Sequence, residues 1–279
     1  MEKILNCLTA LGHPQRMAVF RLLMRRYPDS VPAGELGHAL SIKPSTLSVY
    51  LSALSRAGLI GKTRVGASLR YRARLETSRR IMDYLFLDCC RGRPELCPPL
   101  FQNQDHRTQE NPSKKINVLF ICSGNSARSI FAESILRQEA ADRFEVFSAG
   151  TKPNSALNPE AVSLLRAKDY DTKSLRAKHI SEFQTGGAPE MDFIFTVCDQ
   201  AANEECATWP GQPISAHWGV ADPAKATGTK AEISLAFQRA YSALFERIQA
   251  FSSLPFETLD SVSLQKQVDN LTLGKDQEI

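Results

Sequence analysis

The stretch INVLFICSGNSARSIFAESILRQE, residues 116–139, decides the reading of the larger part of this chain. Ile116–Ile121 (INVLFI) is an apolar run, polar only at Asn117, suited to a buried parallel strand. From about Ser126 to Ala140 the pattern turns helical. Between them stands Cys122-Ser-Gly-Asn-Ser-Ala-Arg128-Ser129, a cysteine and an arginine six positions apart in a glycine-bearing turn. A strand, such a turn and a helix make a site for a tetrahedral oxyanion. Gly124 lets the backbone turn, so that the N–H groups of Ser123, Gly124, Asn125, Ser126 and Ala127 point inward. The helix N-terminus adds its positive end. Arg128 offers two parallel hydrogen bonds to oxyanion oxygens. The same field favours Cys122 as a thiolate, a nucleophile at neutral pH, with Ser129 as a further donor to it.

Working outward, strands are predicted near Phe144–Ser148, Phe193–Val197 and Ile214–Ala216. Helices are predicted over about Pro159–Lys168 and Ala231–Phe251, with one more amphipathic helix over Glu257–Leu273. Strands alternating with helices argue for an α/β domain on a parallel sheet of four strands, covering 116–279. Upstream, residues 92–115 are rich in Pro, Gln, Asn and charge, and read as a linker. Residues 1–91 form a separate unit. The formal net charge of +4 is unevenly shared: residues 1–110 hold 17 Lys/Arg against 9 Asp/Glu, and the rest 17 against 21. A basic first part on a mildly acidic second part assigns any nucleic-acid partner to the first. No stretch approaches the ~20 apolar residues of a membrane span, and no signal peptide is legible, so a cytoplasmic protein without a membrane partner is expected.

Within 1–91, helical spacing over residues 3–27 is interrupted at His13-Pro14, which predicts two helices. A short helix over 32–40 and another from Pro44 to about Ala57 follow, ended by Gly58. Leu59–Thr63 and Leu69–Arg74 read as a hairpin around Gly66, and Thr77–Leu87 as a last helix. Helix, turn, helix and basic hairpin are the layout of a winged helix-turn-helix, mainly α with a β-hairpin wing. The second helix of such a pair leads into the major groove with its N-terminal residues, here Ser45, Thr46, Ser48, Val49 and Tyr50. The hairpin carries Lys62, Arg64, Arg70, Arg72 and Arg74; alternation puts the last three on one face, suited to phosphates or a minor groove. The other use of such a row is a solvated edge that resists strand aggregation.

ALGHPQRMAVFRLL, PSTLSVYLSALSRAGLI and the wing GKTRVGASLRYRARL together resemble the ArsR-type repressors over about residues 1–90. That resemblance implies a homodimer, joined through the first and last helices of the domain, which leaves its operator DNA when a metal or metalloid binds. Many relatives carry cysteines in the helix before the recognition helix; Ala33–Leu40 has none. Cys89, Cys90 and Cys97 lie instead beyond the last helix. Three thiolates suit a soft trigonal ion, with arsenite as the natural effector, and similar clusters occur in some arsenite-sensing repressors. Cys7, alone in an apolar stretch, reads as a small buried hydrophobe.

The Cys122–Arg128 motif resembles the low-molecular-weight protein tyrosine phosphatases, which complete their site with a late Asp-Pro general acid; Asp222-Pro223 fits that pattern. VCDQAANEEC and WPGQPISAHWGVADPA resemble arsenate reductases built on the phosphatase fold, over about residues 115–273. This implies that Cys122 attacks arsenate while Asp222 protonates the departing oxygen, that Cys198 attacks Cys122, and that Cys206 carries the disulfide outward to a thiol donor. The eight-residue step from Cys198 to Cys206 is wider than in the best-known relay and resembles another subgroup, so thioredoxin, glutaredoxin and another thiol stay open as donors. No tightly bound cofactor is implied. Two other readings compete: a tyrosine phosphatase fused to a regulator, and a transcription factor whose oxyanion domain senses without turnover.

Overall fold

Hydrophobic periodicity produces two cores, one per unit. The computed structural model describes residues 1–91, 115–204, 209–211 and 213–273. The chain divides into two compact units, Met1–Gln104 and Asp105–Ile279. The expected linker 92–115, with Cys97, falls outside the described residues except for its last position, and Cys206 also lies outside them.

In the first unit α1 (Glu2–Leu11) and α2 (Pro14–Arg25) are separated at the His13-Pro14 break, where the His13 ring accepts from Gln15 N. Proline at the first helical position has no N–H to waste, and the same device opens α4 (Pro44–Arg56). Before it come β1 (Val31–Pro32) and α3 (Ala33–Ala39). The wing is β2 (Ile60–Val65) and β3 (Ser68–Ala73), antiparallel, with β1 paired to the far edge of β3. α5 (Leu75–Asp83) then runs into one wider, π-type stretch, Tyr84–Cys89. Val19, Leu22, Leu23, Leu36, Leu54 and Leu59 are fully buried at the centre of this core. Cys7 is buried there as expected, its thiol donating to Ala57 O at 3.0 Å.

The second unit is an α/β sandwich. Its strands β4 (Ile116–Cys122), β5 (Phe144–Gly150), β6 (Phe193–Thr196) and β7 (Ile214–His217) form one parallel sheet in the order β5-β4-β6-β7. Helices α6 (Arg128–Glu139), α7 (Pro159–Ala167), α8 (Asp199–Asn203), α9 (Lys230–Ser252) and α10 (Ser261–Leu273) complete it. Val118, Leu119, Phe120 and Ile121 are buried on both faces of β4, as an unbroken apolar run requires. The chain leaves β4 to one side, for β5, and returns to β4's other side with β6. Connections therefore diverge beyond the carboxyl ends of β4 and β6, the place where open parallel sheets form crevices. Cys122 ends β4 and Cys198 follows β6, so topology alone brings these thiols to one crevice.

Aromatic rings fill the layer beneath α9. Trp218 stacks on Phe195 at 3.9 Å between centroids, and Phe251 meets Phe193 and Phe195 edge-on, both at 5.1 Å. Among the described residues no helix is long and apolar enough to cross a membrane. Phe251 is wholly buried and touches rings from two strands, β5 and β6, and two loops. Phe251→Ala is expected to destabilise the second unit by about 3–5 kcal/mol, read as a lower urea midpoint for the transition reported by Trp218 fluorescence.

Candidate functional site

The loop after β4 is held by its carbonyls. Cys122 O, Ser123 O, Gly124 O and Ser126 O accept from the backbone N–H groups of Thr151, Lys152, Asn154 and Asn158. Peptide planarity sets each following N–H on the opposite side. The amides of Ser123, Gly124, Asn125 and Ala127 are thereby turned inward, and Asn125 N donates to Cys122 Sγ at 3.1 Å. Gly150, just before the scaffold segment, allows this approach: a Cβ there would stand 2.6 Å from Ser123 O. The sharp turn is at Asn125, with φ of 44°, and not at Gly124, which packs against Asn154. Asparagine tolerates the left-handed region when its side chain is bonded locally.

Asn125 is fully buried and every polar atom of its side chain is used. Its Nδ2 donates to Ser129 Oγ at 2.9 Å and Ser148 Oγ at 2.8 Å, and its Oδ1 accepts from Lys178 N at 2.7 Å. Ser148 Oγ donates in turn to Glu133, a buried carboxylate also paired with Arg137 and, at 3.0 Å, with Lys178 Nζ. Glu133, Ser148 and Lys178 were not singled out in the sequence; a lone Glu within the apolar run SIFAESIL is the one readable trace.

Cys122 Sγ lies 2.9 Å from Ser129 Oγ. Burial pushes its thiol up, and Cys198 nearby adds to that; bonding from Ser129 and the Arg128 guanidinium pull it down. The sequence predicted a thiolate from the loop's field alone; Cys122 is 2% exposed, and loss of water opposes that field. Arg128 bonds to Asp222 Oδ2 at 2.9 Å and to Val220 O at 3.1 Å, so the arginine and the Asp-Pro pair meet at the loop's mouth. Cys198, also buried, sits 3.4 Å from Ser123 Oγ, and its sulfur accepts from Ala201 N as the cap of α8. The polar, alanine-rich residues that follow Cys198 begin as this short helix, Asp199–Asn203.

In the first unit Ser45, Ser48 and Val49 are exposed on the leading face of α4, and Thr46 is half-buried. Tyr50 is committed to its own domain: its hydroxyl donates to Gln15 Oε1 at 2.6 Å and its ring lies 5.0 Å from His13. Lys62, Arg64 and Arg72 are exposed. The register pairs Lys62 with Tyr71 and Thr63 with Arg70, which sets Lys62 and Arg64 on one face of the wing and Arg70 and Arg72 on the other. The predicted row of three arginines is shortened, because β3 ends at Ala73 and Arg70 is tied to Ser30 O at 2.7 Å, clamping β1 to the wing. Cys89 is exposed and Cys90 half-buried at the end of the π-type stretch. Among the described residues no group of three or more His, Cys, Asp or Glu is placed to hold a metal ion.

A parallel α/β sheet with a cysteine at the end of its central strand, inside a ring of amides closed by an arginine, defines a thiol-based oxyanion site. The chain belongs to the low molecular weight phosphotyrosine protein phosphatase family, whose model matches residues 117–267. A helix-turn-helix domain model matches residues 11–61. Over 140 residues the chain is 38% identical to an arsenate reductase of Shouchella clausii, spanning 50% of this chain and 96% of that protein. An arsenate reductase of Oceanobacillus iheyensis is 35% identical over the same shares, 50% and 96%. One from Bacillus subtilis is 33% identical over 48% of this chain and 94% of that protein.

Ser129 supplies one of the few interactions that favour the charged sulfur. Ser129→Ala is expected to raise the pH at which Cys122 becomes reactive, and to slow its alkylation by iodoacetamide near neutral pH by roughly 2- to 10-fold, the worth of one hydrogen bond. Rates at Cys122, followed by peptide mass spectrometry across pH, check this.

Proposed function

We propose that this chain is a cytoplasmic arsenic-resistance protein that reduces arsenate to arsenite and represses transcription until arsenite binds it. The reductase half rests most on Cys198, a second buried thiol at the rim of the oxyanion loop. A phosphatase regenerates its cysteine with water and needs no such group. The similarity to arsenate reductases agrees with this choice.

In the cycle, arsenate is held by the loop amides of residues 123–127 and by Arg128. Cys122 thiolate attacks arsenic, and one oxygen departs as water with a proton from Asp222. Cys198 thiolate then attacks Cys122 Sγ. The sulfur–sulfur bond forms, the sulfur–arsenic bond breaks, and its electron pair stays on arsenic, which leaves as arsenite. Cys206 attacks Cys198 and passes the disulfide to an external thiol donor, thioredoxin, glutaredoxin or another thiol, which supplies the two electrons.

The regulatory half rests on the helix-turn-helix match and on the exposed face of α4. Ser45, Thr46, Ser48 and Val49 meet the operator's major groove, and Lys62, Arg64 and Arg72 its phosphates. Tyr50 and Arg70 support that surface through Gln15 and Ser30. Met1 before α1 and Leu5 within it, and Met82 and Leu87 in and after α5, are 83%, 49%, 65% and 65% exposed, and α1 packs against α5. Such a face on the first and last helices supports an ArsR-type homodimer. Cys89, Cys90 and Cys97 form the arsenite site.

Cys198→Ser is expected to reduce steady-state arsenite production by at least about 100-fold, while hydrolysis of an aryl phosphate persists. Unchanged arsenate turnover would instead favour the phosphatase reading. With Cys89→Ser/Cys90→Ser, operator DNA is expected to stay bound at arsenite concentrations that release the wild type; normal release in a fluorescence-anisotropy titration removes the sensor assignment.

A further inference from the structure

His217 ends β7 and is wholly buried. Strand register sets it beside Thr196 at the end of β6. Thr196 Oγ1 lies 2.8 Å from its Nδ1, and Asp199 Oδ1 lies 3.1 Å from its Nε2. A carboxylate only accepts, so Nε2 carries the hydrogen toward Asp199, and in the neutral ring Nδ1 accepts from the Thr196 hydroxyl. Asp199 follows Cys198 directly and begins α8. Its side chain is 56% exposed while that of His217 is 0% exposed, so the pair reaches from the core to the first turn of the thiol-bearing segment. Gly219 leaves room for it: a Cβ there would stand 2.7 Å from His217 Nε2 and 2.9 Å from Asp199 Oδ1.

α8 has only five residues, and the sulfur of Cys198 is its cap. When that sulfur is drawn to Cys122 the cap is lost, just as the segment must stay in place for attack. A bond from Asp199 to an anchored imidazole does not depend on the sulfur. We propose that Asp199 and His217 are a positioning pair, which holds Cys198 at the Ser123 rim and fixes the start of its segment while the Cys122–Cys198 disulfide forms. The inference rests on the reductase reading and adds to it. A pair that only satisfied a buried histidine would affect both chemistries of the domain alike. A positioning pair affects the disulfide step alone, because aryl phosphate hydrolysis uses Cys122, Arg128 and Asp222 and no part of α8.

The test uses the full chain, reduced and then given arsenate without a reductant. Disulfide formation is followed by acid quench, alkylation and mass spectrometry. Asp199→Ala, at a partly exposed position, is expected to slow the disulfide by about tenfold or more, as misplacement of a reacting group does, with aryl phosphate hydrolysis within about twofold of wild type. Asp199→Asn keeps an acceptor for Nε2–H and is expected to restore the rate. The inference is overturned if Asp199→Ala closes the disulfide at the wild-type rate, if both activities fall together, or if Asn is no better than Ala. Should the wild type form no such disulfide with arsenate, the reductase reading falls and takes this inference with it.

Discussion

The second unit depends on the direction of a few peptide planes. The loop after β4 is a site because its carbonyls are taken by the segment after β5, which leaves its amides nowhere to point but inward. Parallel pairing of β4 with β5 brings the two segments side by side, in register to the last residue, Cys122 with Gly150. A side chain at 150 would push them apart. The chemistry is thus a consequence of strand register, and the cysteine is only its most visible product.

Beneath the loop lies a polar chain running from Cys122 through Ser129, Asn125 and Ser148 to Glu133. Burying a carboxylate is costly unless it is paired and fully bonded, and Glu133 has both Arg137 and Lys178. Such a cluster adds little net stability. What it supplies is a single arrangement, since moving any member strands another without a partner. That explains why a strained asparagine can be held at the point where the loop turns most sharply.

Much of this was legible in the sequence, and the gaps have physical causes. Helix bounds fall within two or three residues of expectation wherever proline or glycine punctuates the chain, as at Pro14, Pro44 and Gly58. The central strands β4 and β6 were readable because burial on both faces leaves apolar runs such as VLFI and FIF. β1 was missed because two residues carry no period. α8 was missed because its cap is a cysteine sulfur, which no capping preference signals. The loop's cysteine, arginine and serine were found from local spacing. Lys178 was not, because it reaches Glu133 across 45 residues of chain. On the wing, alternation is a property of one strand, whereas Ser30 reaches Arg70 from just before an edge strand that the sequence did not announce.

The bond between Arg128 and Asp222 has one more effect. The guanidinium already has an anionic tenant, so an arriving ion must outcompete a carboxylate for it. Chloride, with one charge and no fork of oxygens, gains little from that exchange. A doubly charged tetrahedral ion presents two oxygens to the arginine and others to the amides, and gains much more. The resting contact of the arginine thus favours an ion that offers a fork of oxygens over a simple halide, ahead of any chemistry.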